Sequence, residues 1–280
     1  MQVRFPKWDF SKVSPHWAPN HEFAQIYNAA STVPAYIEPY LVKVMLKAQA
    51  VLAPEFEALH QDLAIFIKQE MQHCKQHLSF NKMLRASYPG MQEMEQRYAA
   101  DYDHFLATKS LRFNCAYSEG FEAMSAIAVT AFFEEFDPFL KDADPGAVDL
   151  WKWHLAEEFE HREVAHAVFH TLFGRNRVAA YFYRIYGFIY AVSHIRGHVR
   201  RVSQYLLAKD REGMTPEELA RSQAREAEVR RAAGKRAGEH LKAILSPFYD
   251  PAKRPEPRGV ADYLARFAKV PPPAAGAPAA

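Results

Sequence analysis

The amino-acid sequence predicts an all-α protein, a helical bundle with additional helices toward its C-terminal end. Three observations carry this. Apolar residues recur at helical spacing through most of the 280 residues, and strand-like alternation persists nowhere. Glycine is sparse (11) while Phe (20) and Tyr (14) are abundant, a composition poor in turns. Glutamates and histidines three and four residues apart recur inside the apolar stretches, a spacing that places both on one helix face.

Residues 1–25 read as an irregular segment, with Pro6, Pro15 and Pro19 as breakers. A helical pattern then runs from about Ser31 to Val51. Pro34 fits its first turn, while Pro39 implies either a later start or a bend just after Glu38. The stretch 52–84 opens near Pro54 and places Leu59, Leu63, Phe66 and Ile67 on one buried face; "YPG" (88–90) ends it. Helices follow at 91–109 and from about Asn114 to Phe136. After the loop "DPFLKDADPG", Asp144-Pro145 supplies a cap and first position for a helix reaching about Phe173. An apolar helix (177–208) comes next, then a polar one in which Thr215, Pro216 and Glu218 form a capping box. Residues 26–256 are expected to form one helical domain, and 257–280 a Pro/Ala-rich tail whose last ten or so residues have too little apolar bulk to pack and are expected to be disordered.

Composition narrows the function. A formal net charge of +2 is too small to imply a polyanion, so no nucleic-acid partner is expected, and "HIRGHVRR" (194–201) reads as a solvated helix end. Two cysteines, Cys74 and Cys115, do not make a disulfide scaffold. The opening residues lack the apolar run of a signal peptide, and a cytoplasmic location is the expectation. "VAAYFYRIYGFIYAV" (178–192), interrupted by Arg184 and Gly187, is short of a membrane span; hydrophobic on all sides, it reads as a buried covering helix, and membrane contact is not expected.

The chemistry lies in "WKWHLAEEFEHREVAH" (151–166), with three histidines and four glutamates in what otherwise reads as a buried helix. At ~100° per residue, His154, Glu158 and His161 fall on one face, Glu157 lies at its border, and Glu160, Glu163, His166 and His170 turn away. The helix at 52–84 carries a second set, Glu70 and His73, with His77 one turn further. Two other helices each offer an acid among apolar neighbours: Glu38, and Glu119 or Glu122. This is the donor set of a di-metal carboxylate site in a four-helix bundle: a Glu from each of two helices and a Glu-x-x-His from each of the others. Carboxylates reduce the repulsion between two cations a few ångström apart, and imidazoles complete their coordination. Ion pairs on solvated faces would not explain why the spacing recurs in both halves.

These residues resemble a known family. "FIKQEMQHCKQHLSFN" (66–81) and "WKWHLAEEFEHREVAHAVF" (151–169) are similar to the signature helices of the predicted metal-dependent hydrolases, ferritin-like bacterial proteins, and the likeness runs from about residue 20 to 256. It implies Glu70 and His73 as ligands in the first signature and His154, Glu158 and His161 in the second. In the third helix the family has Glu followed by His-Phe-Thr; here "EGFE" points to Glu119 as the ligand and puts Glu122 where a threonine is usual, to bind metal as well or orient a bound water. Glu38 matches more loosely, with Ile37 in place of a glycine. The His-x-x-x-Glu-x-x-His pattern also resembles the arylamine N-oxygenases, di-iron enzymes with an additional histidine ligand, which implies His154 as a third imidazole.

The resulting expectation is a ferritin-like enzyme with two metal ions, iron first and Mn, Zn or a mixed Fe/Mn pair as alternatives. It would oxidise or oxygenate a small, hydrophobic organic substrate with O₂. A two-metal hydrolase is the alternative, with Glu122 or Glu157 as general base, and a non-catalytic metal protein is the third. The helices after the ligand set would cover the bundle, build the substrate entrance or form a homodimer contact.

Overall fold

A computed structural model describes residues 1–268. Among these the secondary structure is helical throughout, in twelve α-helices: α1 (His21–Ser31), α2 (Pro34–Gln49), α3 (Glu57–Ser87), α4 (Met91–Thr108), α5 (Leu111–Thr130), α6 (Asp137–Leu140), α7 (Pro145–His161), α8 (Val164–Phe173), α9 (Arg177–Asp210), α10 (Pro216–Gly234), α11 (Ala237–Ile244) and α12 (Val260–Phe267). Helices α2, α3, α7 and α5 contact one another in a closed ring, and α9 lies along the outer side of α5. The expected disorder of the last ten residues lies outside the described residues.

Several starts follow local chemistry. The side chains of Asn20, Ser110, Asp144 and Asn176 each accept a hydrogen bond from a first-turn N–H, and the Thr215–Glu218 capping box forms as the sequence implies. Pro39 lies inside α2 rather than at its start. A proline has no N–H, so the carbonyl of Ala35, four residues back, loses its helical partner. The Cys74 thiol lies 3.5 Å from that oxygen and serves as its donor.

Three elements differ from the expected pattern. The helix foreseen over 145–173 is broken at Arg162–Glu163, where the Arg162 guanidinium turns back to Phe159 O (2.7 Å) and reaches Pro251 O (3.0 Å). The helix foreseen to Phe136 ends in a π-helical turn, Ala131–Glu135, closed by Phe136 N–H to Ala131 O. Residues 260–267, expected in the tail, form α12 against α7. The irregular N-terminal segment in turn lies under both: Arg4 donates to Leu264 O and Gln2 to Ala268 O.

The apolar run of α9 is not buried on all sides. Ala180, Gly187, Phe188 and Ala191 face the core, while Val178, Phe182, Tyr186 and Ile189 are exposed. The contact with α5 is made at glycines from both sides. A Cβ on Gly187 would lie 2.6 Å from the Ala116 backbone, and one on Gly120 2.7 Å from Phe188 Cα. A second tie joins four elements at Asp210, which accepts hydrogen bonds from His16, Gln25 and Tyr88.

Two predictions follow from these contacts. Gly120→Ala and Gly187→Ala each lower stability by roughly 1–3 kcal/mol through overpacking, measured by denaturant unfolding. The second concerns pH. The hydrogen bond to Asp210 raises His16 above its ordinary 6.5, so its contribution is full below that value and is lost as pH rises through the elevated one. Asp210 is held below its ordinary 3.8 by His16, Tyr88 and Gln25 against the opposing effect of burial, so its contribution is lost only in acid. His16→Ala therefore flattens the fall in melting temperature as pH rises above 6.5. An unchanged alkaline slope in that variant would contradict the assignment.

Candidate metal centre

Seven side chains from the ring of α2, α3, α5 and α7 converge in the core: Glu38, Glu70, His73, Glu122, His154, Glu158 and His161. None is more than 2% exposed. Their donor atoms form two overlapping groups. In the first, His154 Nε2 lies 3.5 Å from Glu38 Oε1 and 3.2 Å from Glu158 Oε1, while His73 Nδ1 lies 3.9 Å and 3.6 Å from the same two oxygens. In the second, His161 Nε2 lies 3.2 Å from Glu70 Oε1 and 3.5 Å from both Glu158 Oε1 and Glu122 Oε2. Glu158 belongs to both.

Two donors bonded at about 2.1 Å to one cation and subtending 90–110° stand about 3.0–3.4 Å apart, close to most of these spacings. The hydrogen-bond inventory makes the same point. Both oxygens of Glu38, Glu70, Glu122 and Glu158, together with His73 Nδ1 and His161 Nε2, are buried without a hydrogen-bond partner. Polar atoms so buried are costly to leave unpaired, and carboxylates most of all. Two divalent cations satisfy them together and balance four carboxylate charges. The residues present fit a di-metal site.

The electrostatics of the protein alone show the strain that cations would relieve. Burial, then the charge of Glu158, pushes Glu38 and Glu70 well above the ordinary carboxylate range and Glu122 to about 7. Glu158 is held well below that range, since His161 and His154 outweigh its burial. His161 is raised by Glu158 and Glu122 despite burial, whereas burial and then His154 depress His73 and His77.

Each inward-facing imidazole is set from behind. His73 Nε2 meets Glu157 Oε2 at 2.9 Å, and Arg4 holds the other Glu157 oxygen at 2.9 Å. His161 Nδ1 meets Gln69 Oε1 at 3.1 Å, and the Gln69 amide donates to Gln2 O and to Glu160. His154 Nδ1 meets His77 Nε2 at 2.8 Å. Such outer partners fix the tautomer and ring orientation of metal-binding histidines. Aromatic rings close the space between. Trp153 lies edge-on to His73 at 4.9 Å and Phe66 to His161 at 4.7 Å, and Trp151 packs on His77 and His154. A cavity of about 500 Å³ runs along the face of α5 that continues Glu122 into Ala126 and Thr130, and Phe159, next to Glu158, forms part of its wall.

Two of the expected site residues are placed beside the group of donors, not in it. Glu119 stays outside the group: it lies 3.3 Å from Arg184 Nη1 and 3.1 Å from His166 Nδ1. Arg184 is only 2% exposed, and a guanidinium so buried needs a carboxylate. Glu122, one turn on, faces His161 instead. Glu157 stands behind His73 rather than among the converging donors, and both its oxygens are engaged, by His73 and Arg4. The residues that sequence reasoning missed are Arg4, Gln69 and Ser31. An isolated arginine amid "YFYRIYGFIY" was the signal for Glu119's partner; nothing local marks Arg4, 153 positions from Glu157.

The fold and the site together define an all-α bundle with a buried carboxylate–histidine cluster able to hold two metal ions. A family model described as predicted metal-dependent hydrolase matches residues 2–254, and the chain belongs to that family. No curated protein and no solved structure matches it. Among the described residues, no helix is long and apolar enough to cross a membrane.

The placement separates the two candidate acids of α5. Glu122→Ala should lose one of two bound metal ions and Glu119→Gln should keep both, as read by metal analysis of protein reconstituted with Mn(II) or Zn(II). Glu157→Gln should retain both sites but weaken binding about 10- to 100-fold, the usual effect of losing such an outer partner.

Proposed function

We propose that the protein is a di-metal enzyme, iron-dependent, that uses O₂ to oxidise or oxygenate a small organic substrate. One observation carries this reading: the donor set is enclosed. Every side chain of the cluster is at most 2% exposed, and the large cavity ends at Ala126 and Phe159 rather than on a ligand. A molecule as small as O₂ reaches such a core through packing fluctuations, whereas a substrate to be hydrolysed has to lie on the metals themselves. Mixed carboxylate and imidazole ligation in a dry site suits iron.

The bound metals would supply redox chemistry toward O₂. The chain supplies the rest. Glu38, Glu70, Glu122 and Glu158 would carry the balancing charge, and Glu158 offers an oxygen to both groups of donors. His73, His154 and His161 present lone pairs held in place by Glu157, His77 and Gln69. Phe66, Trp151 and Trp153 exclude water. Phe159 and Ala126 line the cavity on the side of the cluster, and the substrate would lie there among apolar residues such as Ala243 and Tyr249 and charged ones such as Arg236 and Arg254.

Two-metal hydrolysis is the second reading, and the family description favours it. In that case Glu122, the carboxylate nearest the cavity along α5, would serve as base in place of Glu157.

The experiment loads metal-free protein with Fe(II) and exposes it to air. The expected result is O₂ uptake in stoichiometric proportion to iron, with a new near-ultraviolet to visible absorption. Protein that binds two Zn(II) or Mn(II), leaves O₂ untouched as the Fe(II) form and cleaves ester or amide substrates would establish the hydrolytic reading instead.

A further inference from the structure

The two halves of the cluster are chemically unequal. The first groups two imidazoles, His73 and His154, with Glu38 and the shared Glu158, and Glu70 Oε1 also lies 3.7 Å from His73 Nδ1; the second groups one imidazole, His161, with Glu70 and Glu158, and Glu122 lies 3.5 Å from His161. Behind the first half a hydrogen-bonded line leads away from the metals. His154 Nδ1 meets His77 Nε2 (2.8 Å), His77 Nδ1 meets Ser31 Oγ (2.8 Å), and Ser31 Oγ meets Asn81 Oδ1 (2.7 Å), all buried.

The direction of every proton in this line follows from its far end. The Asn81 amide nitrogen donates to Ser31 O (3.0 Å), which leaves Asn81 Oδ1 as an acceptor. The Ser31 hydroxyl therefore spends its one proton on Asn81 and must accept from His77 Nδ1–H. A neutral His77 protonated at Nδ1 has a lone pair at Nε2, which accepts from His154 Nδ1–H. His154 Nε2 is then bare and faces Glu38 and Glu158. Reversing the line would point an N–H into the site and remove a ligand.

We propose that Ser31 and Asn81, through His77, set His154 as a metal ligand and so make the first half-site the nitrogen-rich one, which fills first with a late divalent transition metal and is the more selective of the two. This deepens the reading that the cluster binds two metals and rests on it. Imidazole donors favour the later first-row ions, while an oxygen-rich set discriminates less and suits Mn. The Glu157 carboxylate behind His73 adds to this bias, because a carboxylate partner raises the basicity of the ligand. Ser31, Asn81 and His77 are positioning residues: they touch no metal.

The test titrates metal-free full-length protein with Co(II), followed by its visible absorption and by calorimetry. Wild type should bind two equivalents in two steps, the first and tighter one giving the bands of mixed nitrogen and oxygen ligation. Ser31→Ala frees the His77 tautomer and should weaken the first step about 10- to 100-fold while leaving the second unchanged. His77→Gln added to Ser31→Ala should restore the first step, since an amide oxygen there can accept from His154 as Gln69 does from His161, and Ser31→Thr, which keeps the hydroxyl, should bind as wild type does. Circular dichroism melts of the metal-free variants separate loss of folding from loss of binding. Two equal steps in wild type, or a Ser31→Ala variant weakened equally in both or in neither, would overturn the inference while leaving the di-metal reading intact. Failure of wild type to bind Co(II) at all would overturn that reading and this one together.

Discussion

Four carboxylates brought to one dry point, without a hydrogen-bond donor among them, are the constraint on which this molecule is built. In water each would be well solvated; in the core their oxygens have no partner. The protein on its own responds by holding three of them protonation-prone and pairing the fourth, Glu158, with His161. Helix packing alone would not maintain such an arrangement, because replacing it by apolar side chains would be easier to bury. Cations at this point would give these oxygens the partners that the protein alone does not.

The architecture around the centre reads as support for that point. Two apolar clusters flank it, and each contributes a ring to its walls: Trp151 from one and Phe66 from the other. Outside the imidazoles lies a polar layer in which each member has its own holder. Arg4 spans Glu157 and Glu160, and Gln69 joins His161 to the backbone of Gln2. This gives the N-terminal segment its purpose. With little regular structure, it brings one guanidinium and one carbonyl to the back of the site, and α12 holds it there.

How much of this was legible in the sequence depends on the range of the interaction that decides it. Helix phase is local, so the convergence of His154, Glu158 and His161, or of Glu70 and His73, could be read from spacing alone. The cap at Thr215 and the proline in α2 are local as well. The partner of Glu157 was not legible, because Arg4 reaches it across a chain separation that leaves no periodic trace. The break at Arg162–Glu163 was hidden too: it is stabilised by carbonyls of Phe159 and Pro251, and the residues there are ordinary helix formers. The exposed stripe of α9 shows the opposite failing, since apolarity on all sides does not say which side is covered.

The choice between Glu119 and Glu122 illustrates how a covering helix can determine a site it does not enter. On α5, Ala116 and Gly120 mark the direction of α9, because Gly187 and Phe188 lie against them. At about 100° per residue, Glu119 is about 80° from that direction and Glu122 about 140°. Glu119 is thus within reach of Arg184 on α9, and Glu122 is turned toward the ring of ligand helices. The close approach that two glycines permit fixes the rotation of α5. Arg184, buried opposite, then needs a carboxylate and takes the nearer one. A reading confined to α5 weighs two similar acids in similar apolar surroundings. The distinction lies more than sixty residues away, in a glycine and an arginine that interrupt an apolar helix.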